Sequence, residues 1–291
     1  MLTLAQRTIP AALAALGLAL ALPAHAQEAA TPAATPAATP DWSFPSSLSL
    51  TSDYIFRGQS QTWGKPALQY GIEADHSSGF YAGFFASNVS DHWLPGASVE
   101  TDLFTGYRNT IADTVGYDLG VIYYAYPGGN WKNSSFTGYN DPNELNTAEA
   151  FISLSYKGLS FKTGRALTEY FGWSTNNSPV GGGFAGDSTA GVTGSTRGSY
   201  FYELNGSVDV AEGWNLNGQL GRQIIANATG LDITYYKLGV THSFADGWSA
   251  SLAYYGSNEP DAYKGFLSLA DTTSASNIAK DKTVVTLSKA F

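Results

Sequence analysis

The sequence predicts an all-β protein, an antiparallel up-and-down transmembrane β-barrel of about twelve strands. Three observations carry this. Segments that alternate apolar with small or polar residues recur from residue 48 to the end, the connections between them alternate between tight and long, and only 13% of residues are charged against 14% aromatic. A soluble domain has about 25% charged residues, so much of this surface is expected to face a solvent other than water. Strands that are apolar on one face only suit lipid outside and a polar or filled lumen inside.

Residues 1–26 read as a secretory signal. Arg7 is the basic end, residues 9–22 the apolar run, and Ala24-His25-Ala26 a small-x-small cleavage site. Losing Arg7 with it leaves 14 basic against 24 acidic residues, a net charge of -10, which argues against nucleic acid as a partner. No later apolar stretch approaches the roughly 20 residues of a membrane helix, so a membrane would be crossed by strands, as in the bacterial outer membrane. There are no cysteines, which excludes disulfides and thiol chemistry. Residues 27–45 repeat Thr-Pro-Ala-Ala at 31–34 and 35–38, and are expected to be a disordered periplasmic leader before a barrel over 46–291.

In the first expected strand, Leu48, Leu50, Tyr54 and Phe56 alternate with Ser49, Thr51, Asp53 and Arg57. Later ones fall near residues 68–75, 80–89, 99–108, 117–124, 148–156, 159–171, 200–210, 214–224, 233–242, 248–257 and 280–291. The third, 80–89, has aromatics of both parities, which leaves its facing open. Ser77-Ser78-Gly79, Lys157-Gly158, Ala211-Glu212-Gly213 and Ala245-Asp246-Gly247 are tight turns. Residues 127–147, 172–199 and 258–279 are long loops. Short turns at the periplasmic end and long loops outside put both ends of an even-stranded barrel in the periplasm. In the last strand Val285, Leu287 and Phe291 would face lipid with Lys289 at the interface, where its stem lets the ammonium reach water.

Ser52-Asp53-Tyr54-Ile55-Phe56-Arg57-Gly58-Gln59-Ser60-Gln61-Thr62 resembles the opening motif of the TorF family, porin-like proteobacterial outer-membrane proteins of poorly defined function. Gly79-Phe80-Tyr81-Ala82-Gly83, Ser87-Asn88-Val89, Glu100-x-Asp102 with Gly106-Tyr107, Tyr170-Phe171-Gly172 and Lys237-Leu238-Gly239-Val240 are similar in order and spacing. Glu169 stands where the family pattern has Asp. The resemblance implies an outer-membrane barrel with a channel role, and brings no substrate or catalytic residue.

The polar parity of each strand points Asp53, Glu73, Asp75, Glu100, Asp102, Asp118, Glu149, Glu203 and Asp209 inward, against Arg57, Arg108, Lys157, Lys162 and Lys237. Nine acids against five bases make the lumen acidic, and Phe151, Tyr124 and Phe201 narrow it. Asp53 and Arg57, roughly 13 Å apart along one strand, are expected not to neutralise each other. Glu100 and Asp102 concentrate charge toward the exterior, with Lys162 and Lys237 on the far wall. The expected channel-lining residues are therefore Asp53, Arg57, Glu73, Asp75, Glu100, Asp102, Asp118, Lys162 and Lys237. No pattern points to catalysis, a metal or a cofactor: His92, beside Asp91, is the one histidine placed for rim chemistry, and it has no nucleophile motif near it. Two functional expectations remain, a cation-leaning channel for ions or small hydrophilic solutes, and a filled structural or adhesive barrel. The expected partners are outer-membrane lipid, small solutes and the barrel insertion machinery, for which Phe291 would be the assembly signal.

Overall fold

The computed structural model describes residues 41–136, 141, 143–182, 184 and 186–291; the expected signal and all of the leader before Asp41 lie outside them. Twelve strands form the wall: β1 (Ser46–Thr51), β2 (Ala67–His76), β3 (Phe80–Asn88), β4 (Val99–Ile111), β5 (Val115–Ala125), β6 (Thr147–Tyr156), β7 (Leu159–Ala166), β8 (Tyr200–Ala211), β9 (Trp214–Ile224), β10 (Ile233–Ser243), β11 (Trp248–Ser257) and β12 (Lys282–Ala290). Each pairs antiparallel with its sequence neighbours, and β12 returns to β1 with Leu287 opposite Leu50 and Ser288 opposite Ser49. That last pairing closes the sheet and leaves no free edge in the wall.

The alternation sorts the two faces. Leu50, Leu68, Leu103, Leu220, Leu238, Val285 and Leu287 are exposed on the outside, whereas Ser49, Ser87, Glu100, Asn205, Gln223 and Ser288 are buried within. In water each exposed large side chain would forgo about 1.5–3 kcal/mol of burial, and here they form a continuous belt around the outside of the barrel. The rims differ. Trp42, Phe44, Phe80, Trp214, Phe244, Trp248 and Phe291 ring the short-turn end, while Tyr70, Tyr123, Tyr200, Tyr202, Tyr236 and Tyr254 stand toward the long loops. β3 is resolved by the same test, with Tyr81, Phe85 and Ser87 inward and Phe80 outward.

Lys157 and Gly158 both have positive φ, 47° and 79°, and join Tyr156 to Leu159, the two-residue turn whose twist matches the flanking strands. Lys157 therefore sits in a turn, with its ammonium 5.0 Å from the centroid of the Tyr156 ring, and is not a lumen base. Inward glycines leave room for rings on adjacent strands: a Cβ at Gly120 would lie 2.5 Å from the Phe151 ring and one at Gly164 2.5 Å from the Phe201 ring. Narrowing by aromatics is thus partly relieved, because those rings lie against the wall. Residues 41–45, expected to be leader, also differ. Trp42 and Ser43 pair with His76 and Asp75, and Ser77 N–H donates to the Asp41 carbonyl, since the short-turn end of β2 otherwise has no partner on that side.

Candidate functional site: a plugged polar lumen

β1 ends at Thr51, six residues before the expected strand does, and the chain then turns into the barrel. Ile55–Phe56 pairs with Gln59–Ser60 around Arg57 and Gly58, whose φ values of 46° and 81° make a two-residue hairpin turn like the one at Lys157-Gly158. Tyr54 is consequently buried and Phe56 half-buried inside, not facing lipid as the alternation suggested. At Gly58 a Cβ would come within 2.7 Å of Tyr235 Cβ on β10, so both backbone sign and space require glycine at the tip.

Arg57 is the tip's anchor. Its guanidinium forms a two-pronged ion pair with Glu149 on β6 at 2.8 and 2.7 Å, donates to Gln223 Oε1 on β9 at 2.7 Å, and lies 3.8 Å from the centroid of the Phe201 ring on β8. Rooted between β1 and β2, the hairpin thus reaches the strands half a circuit away and crosses the bore. At its root, Asp53 accepts from the Ser60 and Thr62 hydroxyls at 2.7 Å each and from Lys282 Nζ at 2.6 Å. Asp53 and Arg57 are therefore neutralised by separate partners on opposite walls, and their expected spacing along one strand does not arise.

Glu100 accepts from the hydroxyls of Tyr54 at 2.7 Å and Tyr126 at 2.8 Å; Asp102, two residues along β4, is wholly buried and neither of its oxygens has a hydrogen-bond partner among the described residues. These two acids lie under the hairpin, not along an open path as expected. Nearer the short turns, Arg108 pairs with Glu73 at 2.7 Å and stands 3.8 Å from Asp75, over the Tyr81 ring, whose hydroxyl donates to Asp118 at 2.7 Å. On the facing wall, Lys162 lies 3.9 Å from the Phe151 centroid and Lys237 5.6 Å from that of Tyr255. The structure thus brings Asp53 and Arg57 into the plug, Glu100 and Asp102 behind it, and Glu73, Asp75, Asp118, Lys162 and Lys237 around the lumen below it. With Lys282 in place of Lys157, the inward balance stays at nine acids to five bases.

The long loops close over the plug. Trp93, Trp131, Trp173, Phe184 and Phe266 are buried together, with Trp93 and Phe266 ring centroids 4.8 Å apart and Tyr263 packed edge-on to Trp93 and Phe184, and the pocket that the first five help to line, about 20 Å³, has room for little more than one water. Glu169 organises the loop after β7. Although partial burial raises its pKa, hydrogen bonds from Ser195, Thr196 and Arg197 outweigh that and hold the carboxyl below its usual range. His92 meets Ser268 Oγ at 2.7 Å and Asp271 Oδ2 at 3.6 Å through the same ring nitrogen, Nδ1. A hydrolytic relay needs the two partners on opposite nitrogens, so this cluster has the chemistry of a loop tie. Phe291 is 71% exposed at the short-turn rim, and its backbone N–H donates to the Ser46 carbonyl at 2.9 Å.

Sequence reasoning missed Gln223 and Tyr126 as plug ligands, and Lys282, which starts the polar face of β12. The detectable signal was Arg57-Gly58 between short alternating pairs, the same basic-residue-then-glycine pattern that marks the turn at 157–158.

Among solved structures, the KdgM porin is similar in fold at 6% identity, covering 85% of this chain and 98% of its own, with a TM-score of 0.46. The NanC porin is similar at 7% identity, 86% and 99% coverage and a TM-score of 0.47. OccAB2 of Acinetobacter baumannii is similar at 14% identity, 84% and 59% coverage and a TM-score of 0.35. No curated protein matches the sequence. The model of the Gcw_chp family, described as bacterial proteins of unknown function, matches residues 33–291, and the chain belongs to that family.

Proposed function

We propose that the protein is an outer-membrane channel for passive diffusion of ions or small hydrophilic solutes, with a lean toward cations, and that the described conformation is its shut state. The observation that carries this is the attachment of the hairpin. Among the described residues its only strand ladder is internal, and it is held to the barrel strands by side chains, above a lumen that stays polar down to the short turns. Its backbone bonds outside itself go to loops, from Ser60 N–H to the Ile278 carbonyl at 2.8 Å and from Ser90 N–H to the Gln61 carbonyl at 2.9 Å, so it can leave without breaking the wall. The resemblance of the 52–62 motif to TorF proteins agrees with this reading, as does the lipid-suited belt between two aromatic rims. A planar bilayer with the refolded protein tests it: brief openings are expected from the wild type. Silence at several voltages, in the wild type and in a variant with the hairpin unpinned, rules the channel out.

Cation preference follows from the excess of inward acids, because low-dielectric walls strengthen fixed charges in a narrow bore. The relevant acids are Asp75 and Asp118, which are half-buried and border the lower lumen, since Glu100 and Asp102 are shielded by the hairpin. A potassium chloride gradient is expected to give a reversal potential of cationic sign during openings. Asp75→Asn with Asp118→Asn should move it toward zero, and an anionic sign in the wild type would refute the preference.

A filled structural or adhesive barrel is the second reading, favoured by the Arg57 clamp and the aromatic cap together occupying the outer half. The bilayer measurement separates the two. Assembly is proposed to use outer-membrane lipid and the barrel insertion machinery, with Phe291 at the exposed rim as its contact. Phe291→Ala should lower the amount of heat-modifiable barrel recovered from membranes, and wild-type levels would exclude that role.

A further inference from the structure

Below the hairpin, four inward polar side chains lie side by side on neighbouring strands. Ser160 on β7 pairs in register with Asn205 on β8, Asn205 with Gln219 on β9, and Gln219 with Lys237 on β10. Gln219 Nε2 donates to Asn205 Oδ1 at 3.0 Å, which leaves Asn205 Nδ2, on a side chain only 3% exposed, without a partner among the described residues; Ser160 Oγ likewise has none among them. With the amides as placed, the spare group buried at position 205 is an N–H donor, beside the spare Ser160 hydroxyl. Buried hydrogen-bonding groups left unpaired are costly, and here two stand in one row.

Lys237 completes the row and differs from the other inward cations. Arg57, Arg108 and Lys282 are in ion pairs, and Lys162 faces Glu203 in register. Lys237 has Gln219 on one side and Tyr255 on the other, both uncharged, and forms no ion pair among the described residues. A half-buried ammonium beside spare amide and hydroxyl groups is complementary to a compact anion with several acceptor oxygens. Gln219 is four residues, roughly 13 Å along β9, nearer the short-turn end than Gln223, where the hairpin tip is held. An anion arriving from that end would not have to move the plug.

We propose that Lys237, Gln219, Asn205 and Ser160 form a binding site for a small oxyanion, the carboxylate or phosphate group of a solute in the lumen. The proposal rests on reading the lumen as a solute path. It also fits the arrangement of charge: Glu73 and Asp75 stand on β2, away from this row, and Glu203, two residues above Asn205 on β8, is already met by Lys162 in register and by the Tyr235 hydroxyl at 2.7 Å, which leaves Lys237 as the inward cation without a counter-charge among the described residues.

The test is a titration of the folded barrel in detergent with sodium acetate and, separately, sodium phosphate, read by the side-chain amide NMR signals of Asn205 and Gln219. Sodium chloride at matched ionic strength is the reference. Saturable shifts with a midpoint on the order of millimolar are expected. Lys237→Arg should keep them, whereas Lys237→Met and Lys237→Gln should each raise the midpoint at least roughly tenfold with heat-modifiability unchanged. Acetate acting without phosphate, or the reverse, identifies which oxyanion the site takes. Equal shifts with chloride alone, or unchanged midpoints in both neutral variants, would overturn the site. Because the signal needs no current, a barrel that binds but never conducts removes the channel reading and keeps the site, and one that conducts without binding does the opposite.

Discussion

Arg57→Ala should turn brief openings into sustained ones. The substitution removes the two-pronged pair with Glu149, the bond to Gln223 and the stacking on Phe201 in one step, and these are the contacts that hold the hairpin tip to the far wall. Breaking a buried ion pair by deleting one partner costs about 3–5 kcal/mol. Applied to the balance between a seated and a released hairpin, that is a factor of roughly 10² to 10³ or more in favour of release. Single-channel recording reads it as a rise in open probability of that order. Glu149→Gln should move the same way, since it leaves the arginine buried without a counter-charge. The double variant should fall short of the sum of the two, because both remove one interaction. Open probability and thermal stability both unchanged in Arg57→Ala would mean that the hairpin is no gate and the pair no clamp.

The second large effect is expected at the closing seam. Ser49 and Ser288 are directly opposite on β1 and β12, with hydroxyl oxygens 2.8 Å apart. Phe291 and Ser46 exchange backbone hydrogen bonds, so positions alternate from there and Ser49–Ser288 is a pair without backbone bonds, the kind with Cα atoms about 4.5 Å apart. That separation lies within disulfide range. In a chain with no cysteine, Ser49→Cys with Ser288→Cys should oxidise to a single cross-link spanning 239 residues. On the chain-entropy account such a loop is worth about 5 kcal/mol. Non-reducing electrophoresis should show a barrel that keeps its fast-migrating form at temperatures that unfold the reduced variant. Failure of the pair to oxidise in the folded protein would contradict the register that closes the sheet.

The wall was legible because its two faces carry opposite residue types on alternate positions. Leu50, Val285 and Leu287 repeat outward and Ser49 and Ser288 inward, and that pattern fixes their facing with no knowledge of what lies opposite. Strand three was opaque because Phe80, Tyr81, Phe84 and Phe85 are aromatic on both faces, and only neighbours that lack a side chain, such as Gly106 beside Tyr81, make the inward ones fit. The hairpin was hidden for a different reason. Inside a plug, as in a wall, apolar and polar residues alternate, so Tyr54 and Phe56 look the same whether they meet lipid or Phe85 and Tyr124. Partner identity was never in the local sequence. Glu149 and Gln223 lie 92 and 166 residues from Arg57, and no spacing rule links them. Trp42 was lost to composition, since a leader rich in Ala, Thr and Pro does not announce where pairing begins.

The same long separations bear on the order of assembly. Apart from the closing seam, every pairing in the wall joins strands adjacent in sequence, and local pairings of that kind form with little loop entropy to overcome. The segment that carries β1 and the hairpin is the exception, because its seam partner is 239 residues away and its tip ligands sit on β6 and β9. Its ladder with β2 and its own hairpin can form early, but its seam and tip contacts cannot exist until the later strands do. The closing seam and the tip are therefore the last to find their places, and the arginine reaches its full set of partners only on a sheet that already includes β9. A chain stopped short of that strand would leave Glu149 and Arg57 without Gln223, so the hairpin doubles as a check that the circuit has been built far enough to be shut.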